Sequence, residues 1–219
     1  MLILTERMKA CFLVISLLGI LCILLVCVDA RKKYARATGR IFCHINGRAH
    51  PVQYAKVSLL DKDPIGHGTF GSTRTNSLGY FSVSGKAGDL IGNPDPYIQV
   101  KYEYSGSYGK MEVESGLGRN RHDKTSTKPF SSSLNFGNIY FSNDHCKAYV
   151  NTYLAMQNFR YRTGQSLPYK TLKVVTHAVL HGGTPYATTN KIRIPKGYNY
   201  DENTARHELA HTVRHTLVS

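Results

Sequence analysis

The 219-residue sequence contains no tryptophan, no Asn-x-Ser/Thr sequon, no internal repeat and no low-complexity tract. It also lacks a glycine-rich phosphate loop, a Ser/His/Asp constellation and a reactive-cysteine motif, so nucleotide-driven and covalent nucleophilic chemistry have no anchor in it. No nucleic-acid-binding module is present, and no basic run along the chain is interleaved with aromatics, which sets aside specific nucleic-acid recognition. Acidic residues are scarce, 14 against 28 Lys and Arg, leaving a net charge of +14. Such a surface either attracts acidic partners, an acidic glycan or an anionic lipid surface among them, or is simply a solvated basic face.

Cysteine is equally sparse once the chain is divided. Cys11, Cys22 and Cys27 fall in an apolar run over residues 11–28, which Arg7 and Lys9 precede and Val28-Asp29-Ala30 follows. That layout reads as a secretory signal peptide over residues 1–30, or as a membrane anchor if it is not cleaved; the run is just long enough to span a bilayer. Arg31-Lys32-Lys33 directly after it weighs towards the anchor. Either reading puts the folded part in a secreted, extracellular or surface-anchored setting. The remaining pair, Cys43 and Cys146, is a disulfide in such a compartment or two buried free thiols.

With 42% hydrophobic residues, 15 Tyr and 19 Gly, the chain is globular and leans to β structure. Residues 31–38 read as a basic linker. From Gly39, short alternating runs are broken by turn residues. Arg40–Ile45 ends at Asn46-Gly47, a hairpin signal, and Ala55–Leu60, Thr69–Thr75, Tyr80–Val83, Tyr97–Tyr104, Lys110–Glu114 and Leu134–Phe141 follow, with a long loop over 115–133. Seven short strands in about a hundred residues predict an antiparallel β-sandwich over residues 39–142. The period then changes. Residues 145–162 are helical, with Asn143 or Asp144 as N-cap and Gly164 as stop; Leu172–Leu180 and Thr188–Ile194 are strands; and a helix runs from Asp201 or Asn203 onward. The fold class expected is thus mostly β and then α+β, with residues 143–219 a helix-strand-strand-helix segment.

That last helix carries His207-Glu208-Leu209-Ala210-His211. Two histidines four apart on a helix share a face, and their imidazoles can reach one zinc ion (Zn2+) at about 2.0–2.1 Å. Glu208 follows the first of them, where a general base for peptide hydrolysis would stand. His207 and His211 are therefore the candidate metal ligands and Glu208 the candidate catalytic residue, for a peptide or protein substrate; the alternative is an amphipathic helix with surface histidines. The third ligand is missing. His215 lies eight residues beyond His207, about 12 Å along an unbroken helix. No acidic residue follows Glu208, so the site is expected to be truncated or completed by an earlier residue, with Asp201, His177 and His181 as nominees. His44, His50, His67 and His122 are scattered.

The stretches Gly39–Cys43, Ala55–Asp63, Leu78–Gly85, Pro94–Ile98 and Phe136–Tyr140, in that order, resemble the transthyretin-like domains of secreted animal proteins over residues 39–142. The resemblance implies a prealbumin-like β-sandwich. It also implies a family disulfide from Cys43 to the end of the strand at 97–104; that strand ends here in Tyr104, leaving Cys146 as the other partner. Residues 143–219 look like the front half of a zincin catalytic domain. The leading expectation is a zinc metallopeptidase-like protein with a transthyretin-like accessory domain. The alternative is a non-catalytic extracellular transthyretin-like binding protein.

Overall fold

The structure, a computed structural model, describes residues 32–62, 68–88, 94–178 and 183–218. The apolar segment 11–28, His67 and His181 lie outside the described residues. Among the described residues, no helix is long and apolar enough to cross a membrane.

The chain is mostly β, with two helices in its C-terminal part. Strand β1 (Lys32–Ile45) is the longest, at 14 residues. Its odd-numbered side chains, Ala35, Ala37, Ile41, Cys43 and Ile45, are buried, as period-2 alternation requires. It turns through Asn46 (φ 49) and Gly47 (φ 76) into β2 (Arg48–Pro51). Both central residues are left-handed, the signature of the hairpin expected from Asn-Gly. One edge of β1 pairs antiparallel with β2 and with β5 (Tyr80–Gly88), and the other pairs parallel with β10 (Ser133–Phe141). These four strands form the first sheet.

A second, wholly antiparallel sheet has the order β4 (Thr69–Arg74), β3 (Lys56–Asp61), β6 (Pro96–Lys101), β9 (His122–Lys124). It meets the first where β4 crosses β5. A Cβ on Gly85 would lie 1.7 Å from the Phe70 carbonyl oxygen, so only glycine permits that approach. A third sheet of five strands has the order β12 (Tyr186–Thr188), β13 (Lys191–Ile194), β11 (Leu172–Thr176), β8 (Gly109–Ser115), β7 (Glu103–Gly106).

Helix α1 (Asp144–Thr163) begins at Asn143, whose side chain accepts from the N–H groups of His145 and Cys146, and ends at Gly164 in the left-handed region. Cys146, Ala148, Tyr149, Val150, Tyr153, Ala155 and Met156 are all buried on it. It packs against β1, β8 and β11 and against helix α2 (Glu202–Val218). Cys43 and Cys146 form a disulfide, Cα–Cα 5.8 Å apart and separated by 103 residues. One core runs from Ala35 through Tyr149 to Leu209.

Five expectations are corrected. Residues 32–38, read as a linker because they are basic, are the first half of β1: Arg36 takes the open side of the strand while Ala35 and Ala37 take the core. The β region is not purely antiparallel, since β1 pairs parallel with β10. The boundary drawn at 142/143 does not separate the sheets either, because β8 and β11 pair in parallel, Met111 opposite Leu172 through Ser115 opposite Thr176. The expected strand 172–180 stops at Thr176, and the loop 115–133 contains β9.

Cys146→Ser removes a cross-link whose closed loop is about a hundred residues, and is expected to cost about 2–5 kcal/mol. For a chain of this size that lowers the melting midpoint by roughly 5–15 °C, read by circular dichroism without reductant. An unchanged midpoint would show that tyrosine packing alone holds α1.

Candidate functional site

The outer face of the first sheet concentrates cationic, aromatic and hydroxyl groups. Along β1 the even positions Tyr34, Arg36, Thr38, Arg40, Phe42 and His44 point away from the core. Strand pairing sets Lys86 beside Tyr34, Ser84 beside Arg36, Ser82 beside Thr38 and Tyr80 beside Arg40. On the other flank Asn135, Asn138 and Tyr140 oppose Thr38, Arg40 and Phe42. The side chains stack in a column. The Arg40 guanidinium lies 4.8 Å from the Tyr80 ring and 4.4 Å from the Phe42 ring. Phe42 stacks on Tyr140 at 5.3 Å, and His44 meets Tyr140 edge-on at 5.0 Å. Arg40 Nε donates to the Leu78 carbonyl at 2.6 Å, and Arg36 Nε to Ser82 Oγ at 3.2 Å. None of β1, β2, β5 and β10 contains an Asp or Glu. Tyr34, Tyr80 and Tyr140 are each about half exposed, at 49%, 49% and 51%. No stretch of sequence shows this face, because its aromatics and cations interleave across three strands. The alternation from Tyr34 to His44 was the available signal, and the linker reading of 31–38 cut it in half.

On α2, Ala205, Glu208, Leu209 and Thr212 face the body, while His207 is exposed and His211 half-buried. Asp201 Oδ1 accepts from the Thr204 N–H at 2.7 Å and caps the helix start. His207 and His211 approach Nε2 to Nε2 at 3.0 Å, their ring centroids 4.6 Å apart. Tetrahedral zinc with bonds of about 2.0–2.1 Å wants its ligand nitrogens roughly 3.3 Å apart, so the pair fits two positions of such a site. A third is not brought to them. The His215 ring is 6.5 Å from that of His211, and Asp201 is engaged at the cap. Among the described residues no group of three or more His, Cys, Asp or Glu side chains is placed to hold a metal. Glu208 is 6% exposed, on the border between the histidine face and the packed face.

His177 belongs to a different cluster. It follows β11 in the left-handed region (φ 56), where its Nε2 lies 3.1 Å from Asp144 Oδ2 at the start of α1. Its ring is 4.9 Å from that of His145, whose Nδ1 lies 2.7 Å from Thr176 Oγ1. Asn143 Nδ2 donates to Asp123 Oδ2 at 2.7 Å, and Tyr102 donates to the same carboxylate. Burial, then the Arg121 cation and His177, push the His145 pKa down to about 4. These groups lock β11 to α1.

Residues 38–111 match the family model described as the Transthyretin-like family, from within β1 to within β8. No curated protein matches the chain. Among solved structures, a 9R-lipoxygenase from Cyanothece PCC8801 aligns with 61% of this chain at 9% identity and a TM-score of 0.32, the chain spanning 25% of that protein's length. An (S)-allantoin synthase aligns with 48% of this chain and 41% of its own at 15% identity and a TM-score of 0.26. Similarity this low carries no argument about fold or activity. The zincin resemblance of residues 143–219 gains no support from these comparisons.

The His145 environment predicts an acid-sensitive fold. A histidine whose folded pKa lies below its unfolded value contributes fully above about pH 6.5, and its protonation favours unfolding as pH falls towards 4. His122, lowered by burial and by Lys124 and Lys101, acts with the same sign. Asp201, lowered from 3.8 by the Thr204 N–H, loses its contribution only below that window. Melting midpoints should therefore fall between pH 6.5 and 4, and His145→Gln should flatten the slope. An equal slope in the variant would remove His145 as the cause.

Proposed function

We propose that this chain is a non-catalytic, extracellular binding protein with a transthyretin-like β region, and that it takes an acidic partner. One observation carries the reading: the outer face of the first sheet bears Arg36, Arg40 and Lys86 with no carboxylate on any of its four strands. A cationic field without internal anions is not neutralised by the protein's own pairs, and it steers anions to one side of the molecule. The described ion pairs of the β region, Lys56 and Arg74 with Glu103 and Lys173 with Glu114, lie on the other two sheets. The buried disulfide and the family match of residues 38–111 support an extracellular setting.

The purified chain should be retained on phosphocellulose at about 0.15 M salt, where exposed charges more than about 8 Å apart are largely screened. Arg36→Glu/Arg40→Glu should elute at markedly lower salt. Equal retention of that variant speaks against this face.

A second reading is favoured by the 3.0 Å approach of the two histidine Nε2 atoms: α2 takes up zinc through His207 and His211. Peptide hydrolysis with Glu208 as base requires a third protein ligand, and the described residues hold none in place. Calorimetric titration with Zn2+ at neutral pH should give one site per chain, lost in either His207→Ala or His211→Ala and kept in Glu208→Gln. Titrations alike in all four proteins would end this reading.

A further inference from the structure

We propose that the partner of the outer face is an acidic polysaccharide, a sulfated or uronate-bearing chain lying along β1; this rests on the binding reading above and names its ligand class. Three features of the face select that chemistry together.

The first is the spacing of the cations. Arg36 and Arg40 are four residues apart on one strand, roughly 13 Å, with Lys86 beyond Arg36 on the neighbouring strand. No single sulfate, phosphate or carboxylate reaches both arginines, whereas an extended chain with an anion on successive units does. Both guanidinium groups are also held in place. Arg36 is tied through Nε to Ser82, and Arg40 through Nε to the Leu78 carbonyl between two rings. Their remaining N–H groups have no partner among the described residues. A fixed planar fork is suited to oxyanions and loses little freedom on binding one.

The second feature is the ring column. Tyr80, Phe42 and Tyr140 form a step beside the arginines, with Tyr80 and Tyr140 half exposed and Phe42 only 8% exposed beneath its neighbours. An exposed ring offers a flat apolar surface with a polar tip, which suits a partner that is itself apolar on one side and hydroxylated at its rim. The C–H face of a pyranose is such a partner.

The third feature is the filling between. Ser82, Ser84, Thr38, Asn135 and Asn138 flank the cations along both edges of β1. Hydroxyl and amide groups can both donate and accept, and they match sugar hydroxyls. A bilayer surface makes other demands. It rewards protruding aliphatic side chains, and among the described residues Leu78 is the exposed large aliphatic one beside this face.

The test uses the full chain, a fluorescent heparin octasaccharide and anisotropy over a salt series. Binding should weaken with rising salt. Arg36→Ser/Arg40→Ser should weaken it by about tenfold or more and flatten the salt dependence, since two cation contacts are gone. Tyr140→Ala, which changes no charge, should weaken it by about threefold with the salt dependence kept. Lys110→Ser/Lys170→Ser removes the same charge from exposed positions on other surfaces and should stay within about twofold. All variants are checked for an unchanged melting midpoint. An equal loss in the lysine variant overturns the proposal in favour of diffuse charge attraction. Retention by phosphatidylserine vesicles or single-stranded DNA, without heparin binding, overturns the ligand class and leaves the binding reading standing. If the chain holds none of these and is not retained on phosphocellulose, both fail.

Discussion

The docking of α1 is the constraint on which the rest of the molecule depends. The helix is pinned at its first turn by the Cys43–Cys146 disulfide and along its length by a tyrosine cluster. Tyr149 is fully buried, meets Tyr102 at a tilt with ring centroids 5.7 Å apart, and donates to the Gln53 carbonyl at 2.7 Å. Tyr153 meets Tyr104 at 5.2 Å and Tyr108 at 5.7 Å. Desolvation pushes the Tyr149 and Tyr153 phenols well above the usual range, so they stay neutral and bury as apolar bodies with a hydrogen-bonding tip. This accounts for a core that is rich in tyrosine and has no tryptophan. Once α1 is seated, its other sides become the floor for β8, β11 and α2.

Local features of this fold were legible in the sequence. Asn143 and Gly164 mark the ends of α1, Asn46-Gly47 marks the first hairpin, and the His-Glu-x-x-His spacing puts two imidazoles together on α2. Each depends on residues within a few positions of one another. The features that escaped depend on distant partners. Nothing in Lys110–Glu114 says that it will pair parallel with Leu172–Thr176, and nothing in Leu134–Phe141 announces a parallel edge on β1. The left-handed His177 likewise meets a distant partner, Asp144 at the start of α1.

The two candidate sites differ in how complete they are. The histidine pair on α2 has metal-ligand spacing and lacks a third ligand among the described residues. The outer face of the first sheet brings cations, rings and hydroxyls together around a strand 14 residues long, with Arg36 and Arg40 anchored by hydrogen bonds. The alternation that buries Ala35, Ala37 and Ile41 is the same alternation that presents Arg36, Arg40 and Phe42, so core and surface are two readings of a single strand.

The parallel pairing of β8 with β11 also bears on how the chain reaches its native state. Strands 172–176 and 109–115 must meet across a crossover containing β9, β10 and α1, a long closure whose entropy is lost before any ladder bond forms. Until then β7 and β8 are a two-stranded ribbon with an open edge bearing Met111 and Val113. During synthesis that edge emerges some sixty residues before its partner. A polypeptide released after β10 would keep it permanently unpaired. The transthyretin-like stretch is thus a recognisable unit of sequence that depends, as a folding unit, on the strands that follow it.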